Sequence, residues 1–224
     1  MSIGDAEIKT QERVIRFFKD PEILGYQYIG NLSDYQNKNI KEDRLRQYLR
    51  LKGYADKLID AAIMQLQQEA GNLSRGVYDA NKTVYSRLKY GIPVSESPEK
   101  PPVTVQLVDE EKPLNNDFAI AEEVTVVEQS EKRPDLVVYL NGIAVAVIEL
   151  KRSSISVSEG IRQNLTNQKN SFIQSFFTTM QFCMAGNESE GLRYGTLLTG
   201  EKFYMEWKDD GFKEHEEERR CPYQ

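Results

Sequence analysis

The sequence predicts an α/β (α+β) fold, in which a mixed sheet is flanked by helices and preceded by a mostly helical N-terminal region. Apolar residues recur at helical spacing through most of the first 90 residues. Short apolar runs suited to strands follow, and a further helical pattern with a last strand pair completes the chain. This order is typical of a layered domain whose helices cover a sheet.

Four helices are expected before residue 91, with an extended piece, GYQYIGNLSDY, between the first two. Asp20-Pro21, Gly53 and Gly91 supply stop signals. The apolar spacing predicts helices at residues 6–19, 40–51, 55–70 and 77–90.

The second half begins after a Pro-rich polar stretch, SESPEKPP, at residues 95–102, which has the composition of a connection. Beyond it, strands are predicted at residues 103–109, 117–127, 135–140 and 143–150. Helices are predicted at 157–170 and 172–184, and a last strand pair at 195–208.

Composition narrows the classes of protein that the chain can represent. The longest apolar run, at residues 143–148, is far short of the ~20 residues of a membrane helix. Two cysteines without ligand-like spacing fit a reducing compartment, so a cytoplasmic protein without membrane contact is expected. The net charge of −6 is unusual for a DNA-binding protein, which favours a local basic patch or other subunits as the holders of DNA.

The segment PDLVVYLNGIAVAVIELK, at residues 134–151, places Asp135, Glu149 and Lys151 on two strands that are otherwise apolar. Burying an unpaired charge costs several kcal/mol, so these groups must be compensated by one another, by a metal or by exposure at the rim of the sheet. Two carboxylates and an amine at a rigid strand end suit a metal-dependent phosphodiesterase of the PD-(D/E)xK class. The alternative is a structural salt bridge at the strand end.

The register of this hairpin decides whether the three groups meet. Glu149 and Lys151 are two residues apart and share a face. Facing residues of an antiparallel pair have numbers with a constant sum, and Asp135 joins the other two only if that sum is even. A two-residue Asn141-Gly142 turn gives an odd sum, so a bulge or a three-residue loop is required. We predict the loop, formed by residues 141–143.

Each group in this arrangement has a chemical task. Asp135 and Glu149 can hold Mg²⁺, with the Leu150 carbonyl as a third ligand, and the ion would polarise a phosphate and activate water. Lys151 can orient that water or neutralise charge developing on the phosphate. Nearby basic residues form a candidate phosphate-binding patch: Lys132, Arg133, Arg152, Arg162 and Lys169.

Two other aromatic features have simpler expectations. The predicted helix at 77–90 interleaves Tyr78, Tyr85 and Tyr90 with basic residues, which could support DNA, although packing against the sheet is favoured. Trp207 lies on an apparent amphipathic strand and is expected in the core.

Several long segments resemble the N-terminal part of the R subunit of type I restriction enzymes, the motor and endonuclease subunit. RPDLVVYLNGIAVAVIELKRSS resembles the nuclease core of that family, and EGIRQNLTNQ resembles the helix that follows it. FFTTMQFCMAGNESEGLRYGTLLTGEKFYMEWK resembles the segment leading toward the motor, and NNDFAIAEEVTV and YDANKTVYSRLKYGIPV are also similar. The resemblance covers nearly the whole chain.

The resemblance implies roles for individual residues. Asp135, Glu149 and Lys151 take the catalytic positions. Gln163 matches the first residue of a Gln-x-x-x-Tyr pattern on the next helix, whereas Asn167 stands in place of its Tyr. An early helix often supplies an acidic residue, for which Glu42 is the candidate and Glu12 the runner-up. The residues expected to contact DNA are Arg133, Arg152, Arg162 and Lys169.

The function implied is that of the nuclease domain of an ATP-dependent type I restriction endonuclease, with Mg²⁺-dependent hydrolysis of double-stranded DNA coupled to translocation in the full protein. Partners would be the methyltransferase (M) and specificity (S) subunits, and ATP and S-adenosylmethionine would serve only the full complex. The expected divisions are a helical region (1–94) packed on the nuclease core (95–208), and a charged linker (209–224) toward a helicase-like motor that is missing here. A non-catalytic docking module of the same complex and another PD-(D/E)xK repair nuclease are the alternatives.

Overall fold

The structure, a computed structural model, describes residues 3–97 and 99–208. The helices in this part of the chain are α1 (Ile3–Lys19), α2 (Glu42–Leu51), α3 (Asp56–Gly71), α4 (Val77–Tyr90) and α5 (Val157–Asn167). The strands are β1 (Gln27–Asn31), β2 (Ile92–Val94), β3 (Val103–Val105), β4 (Phe118–Glu122), β5 (Val126–Val127), β6 (Glu131–Lys132), β7 (Leu136–Leu140), β8 (Ile143–Leu150), β9 (Phe182–Asn187), β10 (Gly191–Gly195) and β11 (Met205–Glu206). Short 3-10 helices cover Pro113–Asn115, Gln174–Thr179 and Glu201–Phe203.

A mixed seven-stranded sheet forms the centre of the molecule, in the order β1-β4-β7-β8-β9-β10-β11. The β1–β4 and β8–β9 pairs are parallel, and the other neighbours are antiparallel. Two small antiparallel pairs, β2–β3 and β5–β6, stand apart from it. The predicted α+β class is confirmed.

The two central strands are apolar because both faces of the sheet are covered. Val137 and Tyr139 pack with Phe176 and Phe177 of the second 3-10 helix. On the opposite face of the sheet, Leu136 and the apolar residues around it pack with Ile15 of α1. Strands buried on both faces have continuous apolar sequences, as β7 and β8 do.

The hairpin between these strands has a two-residue turn followed by a bulge. Leu140 faces Ile143 and Tyr139 faces Ala144, and the register then shifts so that Val138 faces Ala146. Asn141 and Gly142 have φ angles of 53° and 83°, which a type I′ turn requires. The predicted three-residue loop is therefore wrong, but the bulge at Val145 gives the even register that the sequence argument required.

The turn of this hairpin is held by the neighbouring chain. Asn141 Oδ1 accepts from the Asp117 N–H at 2.7 Å, and Asn141 Nδ2 donates to the Leu107 carbonyl at 2.8 Å. The Lys41 N–H donates to the Gly142 carbonyl at 2.7 Å, and Ile40 bridges to Ile143. Helix α2 consequently begins against the turn of the β7–β8 hairpin.

The N-terminal region and the remainder of the chain share one architecture. Strand β1 belongs to the main sheet, and β2 pairs with β3 across the Pro-rich stretch. Helices α2, α3 and α4 enclose a core that includes Ile92, Val105 and Ile143. Within the described residues no helix is both long and apolar enough to cross a bilayer.

Two predicted elements are wrong. The predicted helix at 172–184 is a 3-10 helix followed by β9, which runs parallel to β8. A short apolar run satisfies helix and strand patterns equally, and pairing with the central strand decides between them. The stretch 196–200, predicted as strand, is a turn region, and the C-terminal strands are β10 and the two-residue β11.

The aromatic side chains of two segments face outward, contrary to expectation. Trp207 is 52% exposed, so its assignment to the core is wrong. On α4, Tyr78, Tyr85 and Tyr90 are 57%, 48% and 65% exposed, so packing of these rings against the sheet is also wrong. The predicted charged linker at 209–224 lies outside the described residues.

Candidate active site

Asp135 and Glu149 lie at the end of the β7–β8 hairpin that is remote from its turn. The pairing of Leu136 with Ile148, continued by one residue, places Asp135 opposite Glu149. Asp135 Oδ2 accepts from the Leu150 N–H at 2.6 Å. Lys151 follows directly, and its Nζ donates to the Leu150 carbonyl at 3.1 Å. The bulged hairpin thus brings the three predicted residues into one cluster.

Glu149 is the most constrained member, since its side chain is 0% exposed. Its Oε2 accepts from Gln163 Nε2 at 2.6 Å, whereas Oε1 is buried with no hydrogen-bond partner in the part of the chain that the structure describes. Burial, followed by the nearby charge of Asp135, raises the pKa of Glu149 well above its usual range, and Lys151 opposes this only in part. A side-chain hydrogen bond to Asp135, which forms only when Glu149 carries a proton, raises the pKa further, so Oε1 lacks a donor when Glu149 is ionised. A buried carboxylate with one unsatisfied oxygen calls for a cation or a donor.

Helix α5 places Gln163 against Glu149. The helix starts at Ser156, whose side chain accepts from the Ser158 N–H, an ordinary N-cap. Gly160 faces the sheet so closely that a Cβ there would lie 3.0 Å from the Ala185 Cβ and 3.5 Å from the Glu149 Cβ. The absence of a side chain at Gly160 therefore allows the close approach that brings Gln163 within hydrogen-bonding distance.

Asn167 lies one turn beyond Gln163, in the last turn of the same helix, and its side chain is buried. The structure therefore brings Gln163 into the cluster and places Asn167 within the protein interior at the end of α5.

Glu123 is a neighbour that the sequence reasoning missed. Its N–H donates to the Asp135 carbonyl at 2.8 Å, and its φ of 51° is unusual for a residue other than glycine. Its carboxylate pairs with Arg133 Nε at 2.7 Å and accepts from Gln11 Nε2 at 3.3 Å. Its charge also contributes to raising the pKa of Glu149. No sequence pattern marked this residue, because the left-handed backbone arises only in the folded chain.

Neither candidate for an acidic residue from an early helix joins the cluster. Glu42 starts α2 at the turn end of the hairpin, where it pairs with Arg46 at 3.0 Å and accepts from Gln67. Glu12 is exposed on α1, whereas the adjacent Gln11 reaches Glu123.

The basic residues near the cluster are less available than the sequence suggests. Arg162 donates to Glu159 and to both carboxylate oxygens of Glu201, at 2.8–2.9 Å. Arg133 pairs with Glu123, whereas Lys169 is exposed and Arg152 is half-buried. Two of the four predicted DNA contacts are thus already engaged by carboxylates.

The donor set of the cluster fits a hard divalent cation. The described residues contain no group of three or more His, Cys, Asp or Glu side chains arranged to hold a metal ion. Mg²⁺, however, is usually bound through one or two carboxylates and keeps several of its waters. Asp135 and the unsatisfied oxygen of Glu149 supply such a pair.

A mixed sheet with this carboxylate pair and a lysine at the end of its central hairpin is consistent with a nuclease-like α+β fold. The family model described as the type I restriction enzyme R protein N terminus matches residues 7–203 of the chain. The chain therefore belongs to this family and has a role in a restriction system. A search of curated proteins found no match.

The raised pKa of Glu149 predicts that stability depends on pH. The neutral form of Glu149 favours the folded state. The stabilisation that it contributes is complete below the pKa of the unfolded chain, near 4.5, and is lost as pH rises through the higher pKa of the folded state. Without divalent cations, Glu149→Gln should be more stable than wild type by about 1–3 kcal/mol at pH 8, and the difference should shrink toward pH 4.5.

Urea unfolding across this pH range measures the effect. Glu12→Gln, which changes an exposed carboxylate on α1, should follow the wild type throughout. Parallel pH profiles for Glu149→Gln and wild type would contradict the prediction.

Proposed function

We propose that the chain is the endonuclease domain of a type I restriction enzyme R subunit and hydrolyses phosphodiester bonds of double-stranded DNA with Mg²⁺. The observation that supports this most directly is the position of Asp135 opposite Glu149, whose buried Oε1 has no hydrogen-bond partner among the described residues. A structural salt bridge between Asp135 and Lys151 would not require the buried carboxylate of Glu149 beside Asp135.

Asp135 and Glu149 would hold the ion, which when bound supplies Lewis-acid polarisation of the scissile phosphate and a lower pKa for an attacking water. The protein's own contribution is to fix the two carboxylates. The Leu150 N–H holds Asp135, and Gln163 holds Oε2 of Glu149. Oε1 has no donor among the described residues and would be available to the ion. Fixed ligands of this kind need little reorganisation during the reaction.

Lys151 is the proposed partner of the attacking water. Its Nζ donates to the Leu150 carbonyl, which places the ammonium beside the carboxylate pair. There it would orient the water and neutralise negative charge that develops on the phosphate. The Leu150 carbonyl retains a second lone pair, so it could also serve the ion.

The wider assembly belongs to the same proposal. The energy source would be an ATP-driven motor elsewhere in the R subunit, and the partners would be the M and S subunits, of which the methyltransferase uses S-adenosylmethionine. Because Arg133 and Arg162 are engaged by carboxylates, further DNA contacts would lie outside the carboxylate cluster, on this chain and on the partner subunits. A cytoplasmic location follows, since its substrate and ATP are found there.

Cation binding separates this proposal from a docking module. Calorimetric titration of the chain with MgCl₂ and MnCl₂ should show binding that Asp135→Asn weakens by at least about 10-fold, a loss seen even for residues that only support a ligand. Glu42→Gln, which changes a carboxylate at the other end of the hairpin, should bind as wild type does.

Absence of binding in wild type, or equal binding in Asp135→Asn, would favour the docking module. A different PD-(D/E)xK repair nuclease would bind the ion equally well. Biochemical tests of the R-subunit assembly distinguish it, because DNA cleavage that requires ATP and the M and S subunits supports the restriction enzyme.

A further inference from the structure

One side of α4 carries a row of exposed aromatic and cationic side chains. Tyr78, Lys82, Tyr85 and Lys89 follow one another at intervals of three or four residues, which places them on one side of the helix. The two tyrosines are about half exposed, and both lysines are exposed. We refer to these four residues as the tyrosine–lysine stripe.

The rest of α4 accounts for its packing without the stripe. Val77, Ala80, Val84 and Leu88 form the buried side. Asn81 Nδ2 donates to the carbonyls of Thr178 and Met180 at 3.0 and 2.8 Å.

A salt bridge also fixes the helix to its neighbour. Arg87 donates to both carboxylate oxygens of Glu69 on α3, at 2.7 and 2.8 Å. The helix is therefore fixed on two sides, and the stripe is presented to solvent on a rigid support.

The lysines of the stripe are not neutralised. Neither Lys82 nor Lys89 forms an ion pair with an acidic side chain of residues 3–97 or 99–208. The acids closest in sequence on either side are engaged, since Asp79 pairs with Arg75 and Glu96 pairs with Lys100. In a chain of net charge −6, the stripe is thus a local positive surface, in which Lys89 also lies 5.4 Å from the centroid of the Tyr90 ring.

We propose that the tyrosine–lysine stripe binds the sugar–phosphate backbone of the DNA substrate, outside the cluster of Asp135 and Glu149. Lysines contribute to DNA affinity by displacing counterions from phosphates. Tyrosine hydroxyls donate to phosphate oxygens and their rings contact sugars, contacts that fix the position of DNA without reading its sequence. This inference rests on the proposed function, for which it names a substrate-binding surface.

The dimensions and composition of the stripe agree with this partner. From Tyr78 to Lys89 the helix rises about 17 Å, the length of about five nucleotides of duplex DNA at about 3.4 Å each. Protein interfaces also favour tyrosine, but they are depleted in lysine, and unpaired lysines would be costly to bury. The pairing of tyrosines with unneutralised lysines therefore favours a nucleic acid.

Fluorescence anisotropy with a labelled 20-base-pair duplex tests the inference. The full chain is titrated in EDTA, so that cleavage does not contribute, and at several salt concentrations. Lys82→Glu/Lys89→Glu should weaken binding at least 10-fold at low salt. It should also lower the slope of log affinity against log salt by about 2, since each phosphate contact contributes about 0.9. Tyr78→Ala/Tyr85→Ala should weaken binding less, with an unchanged slope.

The matched control is Lys57→Glu/Lys112→Glu, which makes the same change in charge at two exposed lysines outside α4 and should change affinity less than twofold. Lack of DNA binding by wild type, or equal losses in both double variants, would overturn the inference. Unchanged DNA affinity with failed assembly with the M and S subunits would show a protein interface instead. The calorimetric titration with MgCl₂ and MnCl₂ contains no DNA and tests only the carboxylate site. A negative result for DNA binding by the stripe is therefore distinguishable from a negative result for the proposed function.

Discussion

Asp135→Asn should slow DNA cleavage by the assembled restriction complex by about 10³-fold, while ATP hydrolysis continues. The amide keeps an oxygen that can accept from the Leu150 N–H, so the end of the hairpin retains its hydrogen bond. It removes one of the two negative charges that we propose as ligands of Mg²⁺. Loss of a single preorganised electrostatic group costs about 10²–10³-fold in rate, and we expect a loss at the upper end of this range.

Linearisation of a plasmid that carries the recognition site measures cleavage, and phosphate release measures ATP hydrolysis in the same reaction. Lys151→Ala should give the same result, because the proposed partner of the attacking water is then absent. Glu42→Gln should cleave at the wild-type rate, since Glu42 lies at the turn end of the hairpin. Cleavage that persists in Asp135→Asn would remove the basis for the proposed site.

Gly142→Ala should lower the free energy of unfolding by about 2–5 kcal/mol, because the added methyl combines backbone strain with overpacking. A Cβ at this position would lie 2.7 Å from the Lys41 carbonyl oxygen and 2.8 Å from the Leu45 nitrogen. Both atoms are backbone at the start of α2 and cannot move without shifting the helix. The left-handed φ of 83° adds about 1–2 kcal/mol for any L-residue, and overpacking adds about 1–3 kcal/mol.

Gly53→Ala provides the control, because its φ of 85° is nearly the same, while, apart from its chain neighbours, no heavy atom of the described residues lies within 4 Å of the added Cβ. It should cost only the backbone strain, about 1–2 kcal/mol. The unfolding free energies of both variants are measured by chemical denaturation, and their difference gives the cost of the contact between the added methyl at position 142 and α2. Equal losses would contradict the prediction, since they would mean that α2 and the turn accommodate the added methyl without overpacking.

The sequence predicts the central features of the site because they depend on the alternation of side chains between the two faces of a strand. Glu149 and Lys151 share a side of the sheet in any strand, and the apolar runs on either side of Asn141-Gly142 can form only a hairpin. The resemblance to type I R subunits pointed to Gln163, which the structure places 2.6 Å from Glu149.

Other features depend on contacts between segments distant in the chain. A three-residue loop and a bulge both give the even register that places Asp135 opposite Glu149, so the sequence does not choose between them. In the folded chain, α2 packs against the turn of the hairpin, and the two-residue turn is compatible with this contact. The helix predicted at 172–184 is a 3-10 helix that gives way to β9, because the edge of the central strand β8 pairs with the chain from Phe182 onward. Glu123 reaches the neighbourhood of Asp135 through a left-handed backbone that its residue type does not favour.

The bulge at Val145 also bears on how the hairpin can change in length during evolution. In a regular antiparallel ladder that closes in a two-residue turn, facing residues are an odd number of positions apart in the sequence. Asp135 and Glu149 are an even number apart, and the bulge supplies the extra residue. Loss of one residue from the first half of β8 could therefore be absorbed by loss of the bulge, with the carboxylates still facing each other. We therefore expect that a relative with a single deletion here would keep the same pairing of carboxylates, so that the bulge accommodates a change in length without moving the proposed site.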